Sequence, residues 1–257
     1  MSLDIHHILN SWPFKPGEVN VRRIKGDDGR EKIQLRLDLG LLQMDVTGRP
    51  DGQRPHGFES LLSYYEHALE EHTAAYGTQD GFSLDEDACE QLRAEGTMYY
   101  HRYLAEFVLG DYESVQRDTR RNLRMFDLCA AHAAEEYDQC ICEQYRPYVL
   151  MMYTRARARW EIKKNRPKRA LAVIRRTIEE IRNLYERFGH EESAENCMEL
   201  SVLRALEQEI KSLLPQDPRL RLAKELEDAV SEERYEDAAD IRDRLDKLNS
   251  HAFRKNM

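Results

Sequence analysis

Two stretches of the chain set basic side chains where they could act together. The first, "GRPDGQRPHG" at residues 48–57, places Arg49 and Arg54 around a turn expected at Asp51-Gly52, since Gly and Pro leave little room for regular structure. A guanidinium is a rigid fork of donors, so two of them on a loop held by prolines could grip a carboxylate or phosphate in bidentate fashion. The same arginines could instead clamp a neighbouring sheet to the helices. The second stretch, Arg155 to Arg176, holds ten Lys or Arg residues against one acid, Glu161. Arg155, Arg159 and Lys163 recur every four residues and so line one helix face, while Ala156 and Trp160 can face the core. Such a face would neutralise phosphates and give salt-sensitive, non-specific nucleic-acid affinity. The competing reading is internal pairing with acidic segments such as "HEESAEN" and the C-terminal helices, or plain solvation.

Other chemistry is thin. Cys140-Ile141-Cys142 has one intervening residue and no second cysteine pair, which does not suit a four-ligand zinc site. His67 and Glu71 in "YYEHALEEH" lie one turn apart, the spacing of a metal pair but far more often of an exposed ion pair. No His has a Glu three positions earlier, as helical di-iron sites require. No G-x-S-x-G elbow appears, and no cysteine has a defined His and Asn context. No metal, no cofactor and no enzymatic activity are therefore expected.

The elements that must position these residues are mostly helical. Of the 257 residues, 41% are hydrophobic and 34% charged, with 12 Gly and 8 Pro. A net charge of −9 argues against a surface that grips nucleic acid throughout. No apolar run is long enough for a membrane span and the N-terminus lacks a signal-peptide pattern, so a cytoplasmic protein with no membrane partner is expected. The five cysteines, an odd number scattered through helices, point to reduced thiols.

Residues 4–12 read as a short helix. "VNVRRI" and "KIQLRLDL" alternate apolar and polar residues around Asp28-Gly29, a hairpin signal in which both central positions would take positive φ. "LLQMDV" extends the second strand or forms a third. Helices are expected near 58–75, 84–109, 112–134, 137–164, 168–188, 192–213, 218–231 and 235–248. At two junctions, Gly110-Asp111-Tyr112 with Val115 following and Asn165-Arg166-Pro167 with Ala170 following, the pattern resembles the helical hairpins of tetratricopeptide repeats. Their separation of about 55 residues departs from the regular period of about 34, so the array is of a degenerate type.

The C-terminal segment carries the most specific pattern. Asp217 and Pro218 suit an N-cap and first turn. Leu222, Leu226, Ala229 and Val230 then form one apolar stripe, and Ala238, Ile241, Leu245 and Leu248 a second, after a turn at Glu233-Arg234. Glu236 and Asp237 favour the positive start of the second helix, and Ala238 with Ala239 permits close contact. Tyr235, Glu236, Ala238, Ala239, Ile241, Arg242, Asp243 and Leu245 follow in order a pattern that resembles the UVR motif. That motif is the helical hairpin at the end of the bacterial excision-repair helicase subunit, inside its nuclease partner, and in unrelated bacterial adaptors. The resemblance covers about residues 217–249 and implies a protein contact module, since in the family this hairpin pairs with another copy of itself or with a partner's hairpin. It does not bring a helicase, because no phosphate-cradling G-x-x-x-x-G-K-[ST] loop is present. A hairpin of roughly 30 residues is also below the size that usually folds unaided, so its apolar faces need another surface: this protein's own array, a second copy, or a different protein.

The expected fold is mainly α with a small antiparallel sheet (α+β). It has an N-terminal part (1–57), a central helical-hairpin array of tetratricopeptide type (58–214) and a UVR-like hairpin (217–249). The expected function is that of a non-enzymatic adaptor. Its protein-binding residues are Leu222, Leu226, Val230, Tyr235, Glu236, Ala238, Ala239, Ile241, Arg242, Leu245 and Leu248. The alternative is a DNA-repair or nucleic-acid accessory protein using the basic 155–176 face.

Overall fold

The computed structural model describes the backbone of residues 4–189, 191–214 and 218–255, and the side chains of these except 191, 218–221 and 247–255. It divides into two compact units, Met1–Glu207 and Gln208–Met257. In the first, helix α1 (His6–Ser11) precedes strands β1 (Asn20–Lys25), β2 (Glu31–Arg36) and β3 (Leu41–Asp45), which form an antiparallel sheet in that order. Helices α2 (Leu61–Tyr76), α3 (Glu86–Val108), α4 (Tyr112–His132), α5 (Glu136–Cys140), α6 (Arg146–Lys163), α7 (Pro167–Arg187), α8 (Glu191–Ala194) and α9 (Met198–Leu213) follow. The division between units falls within α9; α10 (Pro218–Ser231) and α11 (Tyr235–Lys255) belong to the second.

The sheet forms as its alternation requires, and "LLQMDV" supplies a third strand. Ile33, Leu35 and Met44 are buried with Ala105 of α3. Arg36, on the central strand, is buried too and spends Nε on the Trp12 carbonyl at 3.0 Å. At the β1–β2 turn only Gly29 takes positive φ, +76°. Asp28 instead accepts the Arg30 N–H at 3.0 Å, so a side-chain turn replaces the second left-handed residue expected there.

Two expected helices are broken. The one at 137–164 becomes α5, a 3-10 turn at Glu143–Tyr145, and α6, because Pro147 lacks an N–H and fits only the first turn of a helix. The one at 192–213 divides into α8 and α9; the Leu200 N–H meets Cys197 Sγ at 3.5 Å where the second begins. Asp217, the expected N-cap of α10, lies outside the described residues.

Helices α3, α4, α6 and α7 pack each against the next. α3 and α4 approach closely at Gly96, whose carbonyl accepts from Asn122 Nδ2 at 2.9 Å and where a Cβ would sit 2.7 Å from Met125 Cε. Three helix pairs, α3–α4, α6–α7 and α10–α11, close on one turn. Gly110, Asn165 and Glu233 take φ of 73°, 58° and 58°. The next residue's N–H reaches back five positions: Asp111 to Glu106 O at 3.0 Å, Arg166 to Glu161 O at 2.9 Å, Arg234 to Ala229 O at 2.8 Å. The left-handed residue itself bonds three positions back, which completes a Schellman motif in each. The residue five positions beyond the left-handed one, Val115, Ala170 or Ala238, is buried where the helices meet.

Glu233 pays a steric cost in that conformation that glycine avoids. Glu233→Gly is therefore expected to stabilise the hairpin by up to about 1 kcal/mol, less what glycine's freedom costs the unfolded chain. Slower amide exchange in α10 and α11 checks this; faster exchange would contradict it.

Candidate functional site

The two arginines of the 48–57 loop do different things. Arg49 turns inward, with 11% of its side chain exposed: Nε lies 3.1 Å from Asp51 Oδ1 and Nη1 3.6 Å from Glu95 Oε1. Arg54 stays at the surface, Nη2 3.5 Å from the Gly57 carbonyl. Arg49 thus clamps the loop to α3. Its anchor, Glu95, is wholly buried and also accepts the Leu61 and Leu62 N–H groups at 2.8 and 3.3 Å, so a carboxylate of α3 satisfies the start of α2.

Around this clamp lies a charged cluster that the sequence reading did not anticipate. Arg102, 1% exposed, donates Nε and Nη2 to Asp118 at 2.6 and 2.9 Å and Nη1 to the carbonyls of Asp45 and Gly48 at 2.9 and 2.8 Å. Arg117 donates to Asp118 at 2.7 Å and to Glu106 at 3.0 Å. Arg121 pairs with Glu95 and lies over the Tyr99 ring at 4.4 Å, while Arg102 lies 4.8 Å from the same ring. Arg117, Arg120, Arg121 and Arg124 stand at i, i+3, i+4 and i+7, so they line one side of α4. That side walls a cavity of about 600 Å³, bounded also by Arg102 and by Ser60 and Ser63 at the start of α2. The helical spacing of these four arginines was the readable signal; a count of consecutive basic residues points instead to 155–176.

Glu106 is buried in this cluster, and burial, with Asp118 adding repulsion against Arg117 and Arg102, pushes its carboxyl up to about 8. A carboxyl raised in the folded state binds a proton that the unfolded chain has already released, so its contribution is complete below the ordinary carboxylate range and is lost as pH rises toward 8. Stability is expected to fall across pH 5–8, with a slope approaching 1.4 kcal/mol per pH unit at most, roughly the value for one proton. Glu106→Gln should flatten that slope in denaturation measured at several pH values. An unchanged slope would contradict the assignment.

The basic run of 155–176 is largely engaged within its own unit. Arg155, half-buried, lies 4.4 Å from the Phe107 ring, and Lys163 lies 4.6 Å from the Tyr112 ring with Nζ 3.0 Å from the Gly110 carbonyl. Arg159 is half-buried and engaged as well. Arg157 pairs with Glu161 at 2.8 Å and Arg175 with Glu207 at 2.8 Å. His67 and Glu71 form an exposed pair at 3.3 Å. All five cysteines are free thiols, and among the described residues no cluster of His, Cys, Asp or Glu is arranged to hold a metal ion.

In the second unit, α10 and α11 pack as a hairpin. Leu222, Ala229 and Ala238 are buried, whereas Leu226, Ile241 and Leu245 are half-buried. Val230 is 53% and Tyr235 68% exposed. Val230, expected on the inner stripe, faces out because Ala229 beside it takes the inner position. Ala239 is exposed for the same reason: neighbours on a helix point about 100° apart, so only one alanine of the pair meets α10. Glu236 and Arg242 are exposed, and Leu248 lies outside the described side chains. Arg234 braces the turn through Glu232 and Asp237 at 2.8 and 2.7 Å.

Fold and sites together define a helical-hairpin protein with a small N-terminal sheet and a terminal helical pair whose apolar stripe is incompletely covered. Residues 220–250, which span most of that pair, match the model of the UvrB/uvrC motif, a motif of protein and DNA interaction in UvrB and UvrC. Neither the curated proteins nor the solved structures yield a match to the chain. Among the described residues no helix is long and apolar enough to cross a membrane.

Proposed function

We propose that the protein is a non-enzymatic cytosolic adaptor of bacterial type, which binds another protein, or a second copy of itself, through its C-terminal hairpin. The observation that carries this reading is the set of apolar side chains Leu226, Val230, Tyr235, Ile241 and Leu245, half-buried to exposed in a segment that matches a contact motif. Fully burying one such side chain stabilises by roughly 1.5–3 kcal/mol, so four or five suffice for a specific contact of moderate strength after ordering costs. Glu236 and Arg242, exposed at the edges, supply charge that selects among partners. The helical array, of degenerate tetratricopeptide type, supports this reading through its two matching turns and serves as a rigid carrier.

A nucleic-acid role through 155–176 has less to support it, since Arg155 and Lys163 lie against aromatic rings of the preceding helix pair. The two readings separate by capture of partners on the immobilised full chain, with and without nuclease, at moderate and high salt. A stoichiometric protein retained under all four conditions and lost on Val230→Asp with Tyr235→Asp is the expected result. Partners that vanish with nuclease and salt would contradict it.

A further inference from the structure

We infer that the cavity between α4 and the start of α2 binds a small phosphate-bearing molecule. Five arginines and three carboxylates line it, and three of those arginines, Arg117, Arg121 and Arg124, also pair with Glu106, Glu95 and Glu66 outside the lining. Most of the carboxylates are already spent. Asp118 is held between Arg102 and Arg117, and Asp127 by Arg146 at 2.8 Å.

One guanidinium retains capacity toward the cavity, that of Arg120, while Arg124 beside it pairs with Glu66 at 3.1 Å. Arg121 is 7% exposed; its Nη atoms meet Glu95 and Asn122, but Nε is buried without a hydrogen-bond partner. A buried donor left unmade costs about 1–3 kcal/mol, and this one has no surface open to the cavity. Burial, with repulsion from the neighbouring Arg124 and Arg49, pulls the Arg121 pKa down to about 9 although Glu95 pairs with it. Arg120, at the exposed mouth, spends Nε on the Gln116 carbonyl at 3.0 Å and lies 5.8 Å from the Tyr153 ring, and among the described residues no carboxylate pairs with it.

The opposite wall adds to the same preference. Ser60 and Ser63, whose hydroxyls lie 3.0 Å apart, stand at the start of the sixteen-residue α2, whose first N–H groups are held by Glu95. Guanidinium forks on one side and hydroxyls at a helix start on the other suit a tetrahedral dianion with several oxygens, and about 600 Å³ leaves room for the molecule that carries it. Glu59, exposed at the rim, disfavours a long polyanion lying across the mouth.

The test is calorimetric titration of the full chain with pyrophosphate, with a short single-stranded oligonucleotide as the comparison. One-to-one saturable binding by about 10 mM is expected, weakened about tenfold or more by Arg120→Ala with Arg124→Ala and unchanged by Lys163→Ala. Arg120 and Arg124 are exposed, so an unaltered circular dichroism spectrum separates lost binding from lost folding. Absence of saturable heat, equal weakening by Lys163→Ala, or oligonucleotide binding that pyrophosphate does not displace would each overturn the inference. The site uses no residue of the hairpin, so its failure leaves the adaptor reading untouched.

Discussion

Replacing Arg102 by leucine is expected to cost about 3–5 kcal/mol, much of the stability a domain of this kind possesses. Arg102 joins three parts of the first unit: its fork holds Asp118 of α4, and Nη1 ties the end of β3 and the loop after it to α3. Truncation leaves Asp118 buried with Arg117 as its remaining cation and strands two inward-facing carbonyls. The cost comes from those abandoned partners more than from the ion pair itself, so Asp118→Leu combined with Arg102→Leu should recover part of the loss. Guanidinium denaturation of the single and double variants checks this. A single variant within about 1 kcal/mol of the parent would show that the cluster is no anchor.

Ile241→Asp together with Leu245→Asp should abolish association through the hairpin, a loss of a hundredfold or more by the arithmetic of burying roughly 2–7 kcal/mol of unpaired polar group at an apolar contact. Both positions are half-buried, so some loss of hairpin stability accompanies the change. Val230→Asp and Tyr235→Asp, at exposed positions, separate the effects: they should weaken association while leaving α10 and α11 helical. Sedimentation across a concentration range reads a second copy, and titration with the captured protein reads a foreign partner. An unchanged profile in both would remove the hairpin from the account.

Much of this arrangement is legible in the residue pattern, and the exceptions have physical causes. Gly110 and Asn165 mark their turns because few residues accept positive φ; Glu233 does not look like such a residue, yet it takes the same conformation under the same hydrogen bonds. Pro147 should have divided the helix expected over 137–164, since a ring nitrogen fits only a first turn. The apolar stripes of the hairpin locate α10 and α11, but periodicity alone places Val230 and Ala239 inside, where a pair of helices has room for Ala229 and Ala238. The arginines of α4 do not stand out in the sequence because a charged residue on a helix is ordinarily a solvated one. The burial of Arg121, and of Arg102 opposite it, depends on Glu95 and Asp118 arriving from separate turns of two helices, which no local pattern announces.

Hydroxyl-radical footprinting of the hairpin tests the docking claim most directly. In the dilute, purified full chain Tyr235 and Val230 should oxidise at the rate of exposed side chains, and on addition of the captured partner, or at concentrations where copies associate, both should become protected. If both are already protected in the solitary chain, the stripe is covered from within and no docking surface remains.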